Sequence, residues 1–195
     1  VDDLKSSLEN LRNRFADHQV DWGKLQDSLH KVVGDSVNIR NTQPDVVEVR
    51  PRELECDVVR FQNNKEKWVA LVGLLNGHPY EIFTGLQDDE EGIMLPKSVT
   101  KGKIVKTVLS EGAKRYDFQF VNKRGYKITV EGLSEKFNPE YWNYAKLISG
   151  VLRYRMPIKH VIKLVSQLQL TSESINTWKV GVERALKNYL KDDEL

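Results

Sequence analysis

One cysteine and four histidines are among the residues of this chain that could act as a nucleophile or ligate a metal ion. The single cysteine, Cys56, stands between Glu55 and Asp57, whose negative charges would raise the pKa of a nearby thiol. Neighbours in a strand point to opposite faces, so this effect is weak, and we expect Cys56 to be a buried structural residue. The histidines are His18, His30, His78 and His160. Their positions form no His-Glu-x-x-His pattern and do not have the spacing of metal ligands.

The remaining catalytic motifs are also missing from the sequence. It contains no Gly-x-Gly-x-x-Gly motif, no phosphate-binding Gly-x-x-x-x-Gly-Lys-Ser/Thr loop and no Gly-x-Ser-x-Gly elbow. We expect His78, which follows a turn, to be exposed, and His160 to lie on a helix surface or at the edge of the core. The sequence therefore predicts no catalytic, cofactor-binding or metal-binding residues in this chain.

The stretch from Lys97 to Lys127 could bind phosphate or nucleic acid. Tyr116, Phe118 and Tyr126 are interleaved with its basic residues, a combination typical of nucleic-acid-binding surfaces. Alternatively, the charged side chains are strand exteriors in solvent and the aromatic residues fill the core. The alternation of Tyr116 and Phe118 with polar residues favours this alternative, and both interpretations stay open. The candidate phosphate- or nucleic-acid-binding residues are Lys97, Lys101, Lys103, Lys106, Lys114, Arg115, Lys123, Arg124 and Lys127.

The bulk composition is that of an ordinary globular protein. The 195 residues are 39% hydrophobic and 30% charged, and their formal net charge of +2 is too small to indicate a nucleic-acid partner by itself. A single cysteine excludes an intrachain disulfide. No apolar run approaches the roughly 18 residues that a membrane-spanning helix needs. We therefore expect a cytoplasmic protein with no membrane partner.

The middle of the chain, residues 54–133, has the pattern of antiparallel strands. The run from Trp68 to Leu75 is almost continuously apolar, as in a strand covered on both faces, and the Asn76-Gly77 pair after it predicts a tight hairpin. Further strands are predicted at residues 57–61, 80–83 and 104–109. Tyr116, Phe118 and Phe120 alternate with polar residues before a turn, and Tyr126, Ile128 and Val130 do so after it, which predicts a hairpin with one buried face.

Helical periodicity dominates both ends of the chain. Residues 1–33 predict two helices, and residues 34–53 contain two prolines and read as a connector. Residues 138–191 predict three helices, which begin near Asn138, at Pro157 and at Thr171 or Ser172. The sequence thus predicts an α+β fold, with an antiparallel β-sheet and a C-terminal three-helix cluster preceded by an N-terminal helical pair. The predicted domains are residues 1–46 and residues 47–195.

Several segments resemble, in order, the C-terminal (TSCPD-like) domain of adenosylcobalamin-dependent, class II ribonucleotide reductases. Residues 49–61 contain an Arg-Pro-x-x-Leu entry and a strand, and residues 67–83 contain a Val-Gly-Leu-x-x-Gly-x-Pro-Tyr-Glu-x-Phe hairpin. Residues 145–162 are similar to the helix of that domain that ends in an arginine-rich turn and a proline. Residues 182–192 resemble its closing helix, so that the resemblance covers about residues 47–192.

The resemblance implies an accessory domain of such a reductase, which supports deoxynucleotide synthesis with a separate catalytic chain. The Thr-Ser-Cys-Pro-Asp motif and the cysteine-rich tail of the full reductases are absent, and their catalytic barrel cannot fit this length. Adenosylcobalamin is then expected in the partner and not in this chain, and the 1–33 helices become a partner-binding element. The alternative is a non-catalytic module with a reductase-type fold that binds nucleic acid or another protein.

Overall fold

The computed structural model describes residues 48–169 and 173–190. The predicted helical pair, the 1–46 extension and the helix start at Thr171 or Ser172 lie outside these residues and stay predictions. The described strands are β1 Glu53–Asn63, β2 Glu66–Leu75, β3 His78–Leu86, β4 Lys101–Val108, β5 Lys114–Val121 and β6 Lys127–Val130. The helices that follow them are α1 Leu133–Lys136, α2 Pro139–Arg153, α3 Ile158–Gln167 and α4 Glu173–Lys187.

The strands form a single six-stranded antiparallel sheet in the order β3-β2-β1-β4-β5-β6. Hairpins connect β1 to β2, β2 to β3, β4 to β5, and β5 to β6. The segment 87–100 connects β3 at one edge back to β4, which pairs with β1 in the middle of the sheet. The predicted α+β class, with strands followed by helices, is confirmed.

Each face of the sheet has its own apolar core, because alternate residues of a strand point to opposite sides. The helix face lies under α2, α3 and α4 and carries Trp68, Ala70, Val72 and Ile82. The loop face carries Val69, Leu71, Phe83, Ile104 and Phe118, and it packs against Ile93, Leu95, Val99 and Leu133. The residues of β2 from Val69 to Val72 are fully buried, which confirms the prediction of a strand covered on both faces.

Helix α2 covers the outer edge of the sheet beside β3. It begins as predicted, with the Asn138 side chain accepting a hydrogen bond from the Glu140 backbone N–H and with Pro139 in the first turn. Further along, the Ser149 hydroxyl accepts from the Ile82 N–H at 3.0 Å and lies 3.2 Å from the Ile82 carbonyl. The Ser149 side chain of α2 thus provides a hydrogen-bond partner for backbone groups of an edge strand that would otherwise have none.

The β5–β6 hairpin matches the sequence prediction in one arm only. Phe118 and Phe120 of β5 are buried, but Tyr126 is 65% exposed and Ile128 of β6 is 38% exposed. Strand β6 is the outermost strand of the sheet, and the apolar packing of the loop face reaches only its partly buried Val130. The prediction that Tyr126 and Ile128 share a buried face was therefore wrong.

Two further predictions from the sequence differ from the structure. Helix α1 was missed, because four residues are too few to show a helical period. Pro157 precedes α3 as its N-cap and is not its first helical residue.

The Asn76-Gly77 turn depends on glycine for its backbone conformation. Asn76 has φ 53° and Gly77 has φ 80°, as a type I′ turn requires at both central residues. A Cβ on Gly77 would meet no atom within 4 Å, so a substitution is strained by φ and not by a clash. We expect Gly77→Val to lower the free energy of unfolding by about 1–3 kcal/mol in chemical denaturation.

Gly150 provides the matched control for this substitution. It lies inside α2, and a Cβ there also meets nothing within 4 Å, so Gly150→Ala should leave the protein as stable or slightly more stable. A Gly77→Val variant as stable as the parent would contradict the assigned turn.

No helix among the described residues has the length and apolar character to cross a bilayer.

Candidate functional site around a buried glutamate

The nine basic candidates are distributed over several parts of the described surface. The strand registers place Lys101, Lys103, Arg115 and Lys127 on the helix-face side of the sheet, and Lys106 and Lys114 on the loop face. Lys97 lies in the 87–100 segment, and Lys123 and Arg124 lie in the turn between β5 and β6. The fold brings Lys101, Lys103 and Lys127 together along one shallow groove, which Glu53 and Glu55 also line.

Two of these cations are paired with carboxylates. Lys103 Nζ lies 3.4 Å from Glu53 and 3.6 Å from Glu55, and the hydrogen bond to Glu53 and the charge of Glu55 raise its pKa. Arg115 donates to Asp117 at 3.0 Å. The phosphate- or nucleic-acid-binding role of all nine residues stays a prediction.

The residues considered for nucleophilic or metal chemistry lie where the sequence suggested. Cys56 is 2% exposed, and burial, followed by the charges of Asp57 and Glu81, raises the pKa of its thiol well above the ordinary value. The prediction of a buried cysteine is confirmed. His78 follows the turn and is exposed, and His160 is exposed on α3, both as predicted.

A glutamate that sequence analysis passed over is the most unusual side chain of the interior. Glu81 is fully buried in the middle of β3, where the alternation of the strand directs it to the loop face. Arg50 donates to both of its carboxylate oxygens, through Nε at 2.9 Å and Nη2 at 2.5 Å. The Arg50 side chain is itself only 6% exposed. The two residues form a bidentate buried ion pair, which is the geometry that best compensates for the loss of hydration.

Glycine in the neighbouring strand leaves room for this glutamate. Gly73 of β2 is directly opposite Glu81, and a Cβ at Gly73 would lie 2.7 Å from Glu81 Cγ. The register then shifts to pair Leu74 with Pro79, which leaves Tyr80 as the extra residue of a β-bulge. The bulge sits next to the buried carboxylate and changes the direction in which the Tyr80 side chain points.

The C-terminal end of α2 reaches the same place. Arg153 Nη2 lies 3.7 Å from Glu81 Oε2, and the Arg153 guanidinium lies 5.4 Å from the centre of the Tyr80 ring. The Tyr80 hydroxyl donates to the Glu48 carbonyl at 3.1 Å, and Arg155 Nη2 lies 2.5 Å from the Glu48 carboxylate. These contacts join residues 48–50, the bulge of β3 and the end of α2.

The central strands complete the arrangement on the loop face. The Arg50 guanidinium lies 5.6 Å from the centre of the Tyr116 ring in β5, and Tyr116 is directly opposite Lys106 of β4. Burial lowers the pKa of Lys106, and the charges of Lys114, Arg50 and Arg153 lower it further. We define the Glu81 cluster as Arg50, Tyr80, Glu81, Lys106, Tyr116 and Arg153.

The Glu81 cluster contains parts of three segments that carry the sequence resemblance. Arg50 belongs to the Arg-Pro entry, Tyr80 and Glu81 belong to the Pro-Tyr-Glu hairpin, and Arg153 begins the arginine-rich turn. The sequence signal that could have revealed it is a single acidic residue between Tyr80 and Ile82 in an otherwise apolar strand. Such a glutamate needs cationic partners, and arginines at the borders of predicted elements were available.

The chemistry open to this cluster is binding and positioning. Both Glu81 oxygens already accept hydrogen bonds from Arg50, so the carboxylate is held as an acceptor and is not poised to move a proton to a ligand. Among residues 48–169 and 173–190, no group of three or more histidine, cysteine, aspartate or glutamate side chains could hold a metal ion. The uncompensated groups of the cluster are cations, which favour an anionic ligand.

Comparison with known proteins gives one family. The model of the NrdJ homologue C-terminal domain matches residues 54–191, more than half of the chain. The matched range includes every residue of the Glu81 cluster except Arg50, which lies four residues before it. No curated protein and no solved structure matches the chain.

Proposed function

The chain belongs to the NrdJ homologue C-terminal domain family, and from this membership we propose that it is an accessory domain of a cobalamin-dependent ribonucleotide reductase. In this proposal it supports deoxynucleotide synthesis together with a separate catalytic chain. The observation that carries the proposal is the extent of the family match, which runs from the second residue of β1 to beyond α4 and so includes all six strands and all described helices.

The state of the buried ionisable groups supports an accessory role. Glu81 is held by Arg50, and the buried Asp117 accepts from Arg115 and from the Gly132 N–H at 2.9 Å. The Cys56 thiol is buried and has a raised pKa, and it is therefore poorly suited to form a nucleophilic thiolate. In the described part of the chain these groups stabilise the fold, which leaves the chemistry to the proposed partner.

The described surface supports the proposal that adenosylcobalamin binds to the partner. Its groove along β4 and β5 is lined by charged residues such as Glu55 and Lys103, and a second hollow is lined by Glu66, Glu90 and Glu135 among others. A corrin ring is a large ligand that needs an enclosed site, and both of these concavities are open to solvent. In this proposal the separate catalytic chain therefore binds the cofactor.

A binding experiment tests the proposal. The full chain is mixed with the catalytic chain of a cobalamin-dependent ribonucleotide reductase from the same organism, and association is measured by analytical ultracentrifugation. We expect a complex, and we expect deletion of residues 1–33 to weaken it while the remaining domain keeps its cooperative thermal unfolding. Absence of a complex with the full chain would contradict the proposal, and loss of folding on deletion would make those residues part of the core.

A nucleic-acid-binding module is the second candidate function. It is favoured by the β5–β6 turn, where the exposed Tyr126 lies next to Lys123, Arg124 and Lys127 in sequence. Binding to single-stranded DNA that weakens steeply with salt and is lost in Tyr126→Ala would support this candidate. Binding to the reductase chain without DNA binding would exclude it.

A further inference from the structure

We propose that the Glu81 cluster is a binding site for a phosphate or diphosphate group. Arg153 and Lys106 would hold this group on the loop face of the sheet. This site is separate from the groove that Lys101, Lys103 and Lys127 line. It does not depend on the proposed function, because it is argued from charges and geometry alone.

The first observation is an excess of positive charge around one carboxylate. Arg50 Nη2 lies 2.5 Å from Glu81 Oε1, and Arg153 Nη2, from the end of α2, lies 3.7 Å from Glu81 Oε2. Lys106 is directly opposite Tyr116, and the Arg50 guanidinium lies over the Tyr116 ring. Lys114 lies two residues before Tyr116 and is on the same face of β5. Arg50, Arg153 and Lys106 therefore share one buried carboxylate, and Arg50 already uses both of its oxygens.

The second observation is that the cations next to Arg50 are only partly compensated. Arg153 Nε is buried and has no hydrogen-bond partner among the described residues, although Arg153 Nη2 lies within ion-pair distance of Glu81. Lys106 is half-buried, and its pKa is lowered by burial and by the charges of Lys114, Arg50 and Arg153, while the charge of Glu81 raises it. Partly buried cations without matching anions cost free energy, and an anionic ligand would remove that cost.

The third observation is that the arginines are already oriented. Arg50 is fixed by its bidentate contact and lies against Tyr116, and Arg153 lies against Tyr80. Stacking on tyrosine holds a guanidinium plane in place and reduces the entropy lost on binding. The site also opens to solvent, since Lys114 is exposed and the Arg153 side chain is 33% exposed.

The charge balance selects phosphate over a single carboxylate. After Glu81 neutralises one of the three cations of the cluster, two positive charges remain, with Lys114 close to Lys106, and a phosphate or diphosphate can carry a matching negative charge. Arginine binds phosphate through its fork and lysine as a point charge, and the cluster offers both. The ligand could be free phosphate or diphosphate, or the diphosphate of a nucleotide.

The test is isothermal titration calorimetry of the full chain at constant ionic strength with inorganic phosphate, pyrophosphate, ADP and adenosine. We expect pyrophosphate and ADP to bind and adenosine not to bind. Tighter binding of ADP than of pyrophosphate would identify a nucleotide as the source, and equal binding would identify the free anion. Binding of none of the phosphate compounds, or binding of adenosine alone, would overturn the proposal.

Two variants locate the site. Lys106→Met keeps the length of the side chain, removes one charge and is expected to weaken pyrophosphate binding by about tenfold or more. Lys163→Met, at an exposed position of α3 outside the nine basic candidates, is the matched control and should bind as the parent does. If Lys106→Met does not fold, the exposed Lys114→Met serves in its place. Parent-like binding by the folded Lys106 or Lys114 variant, or an equal loss in Lys163→Met, would overturn the proposal.

Discussion

Replacement of Glu81 by glutamine is expected to lower the free energy of unfolding by about 3–5 kcal/mol, measured by chemical denaturation. The substitution preserves shape but removes the charge that compensates the almost fully buried Arg50 and the nearby Arg153. Loss of one partner leaves the other charge buried without compensation, and this is the costly half of a buried ion pair. For a domain of ordinary stability, about 5–15 kcal/mol, the expected loss is a large fraction of the total.

A double substitution separates the cost of an unpaired charge from the value of the pair itself. In Arg50→Met combined with Glu81→Leu, both charged partners are replaced by apolar side chains, and we expect most of the lost stability to return. Glu91→Gln, at an exposed position of the 87–100 segment, is the control and should change stability by less than about 0.5 kcal/mol. A Glu81→Gln variant within that same margin would show that the pair does not have the assigned role.

Replacement of Trp178 by alanine is expected to lower the free energy of unfolding by about 3–5 kcal/mol. Trp178 of α4 is fully buried, and its ring centre lies 5.7 Å from that of Tyr141 and 5.9 Å from that of Tyr144. Its indole Nε1 donates to the hydroxyl of the buried Thr84 in β3 at 2.9 Å. The alanine variant therefore creates a cavity beneath α4 and also leaves a buried hydroxyl without this donor.

The phenylalanine variant divides this effect into its two parts. Trp178→Phe keeps most of the apolar volume but loses the indole N–H. We therefore expect it to lower the free energy of unfolding by about 1–3 kcal/mol, less than Trp178→Ala does. Val180→Ala, on the same helix at a position that is 64% exposed, should have little effect. Equal losses in Trp178→Ala and Val180→Ala would contradict the placement of α4 against the sheet.

Local patterns predicted the parts of the fold that depend on neighbours in sequence. The Asn76-Gly77 turn was predictable because a type I′ turn needs two left-handed residues, and the burial of β2 followed from its unbroken apolar run. The start of α2 at Asn138 followed from capping chemistry. Each of these features has a physical cause that acts within about ten residues.

Features that depend on distant partners were not predictable in this way. Tyr126 and Ile128 have the alternation of a buried strand, yet β6 is an edge strand and both side chains are exposed, because the extent of the packing above a sheet is set by other elements. The Glu81 cluster was missed for a related reason. Its arginines, Arg50 and Arg153, are distant from Glu81 in sequence, and only the folded chain shows that they share one carboxylate.

The most direct test of the accessory role is a ribonucleotide reduction assay with adenosylcobalamin and three samples: the purified chain, the reductase catalytic chain, and both together. We predict that the purified chain forms no deoxynucleotide and that the mixture turns over faster than the catalytic chain by itself. Turnover by the purified chain, abolished by a single side-chain substitution, would contradict the account, as would a mixture no faster than the catalytic chain.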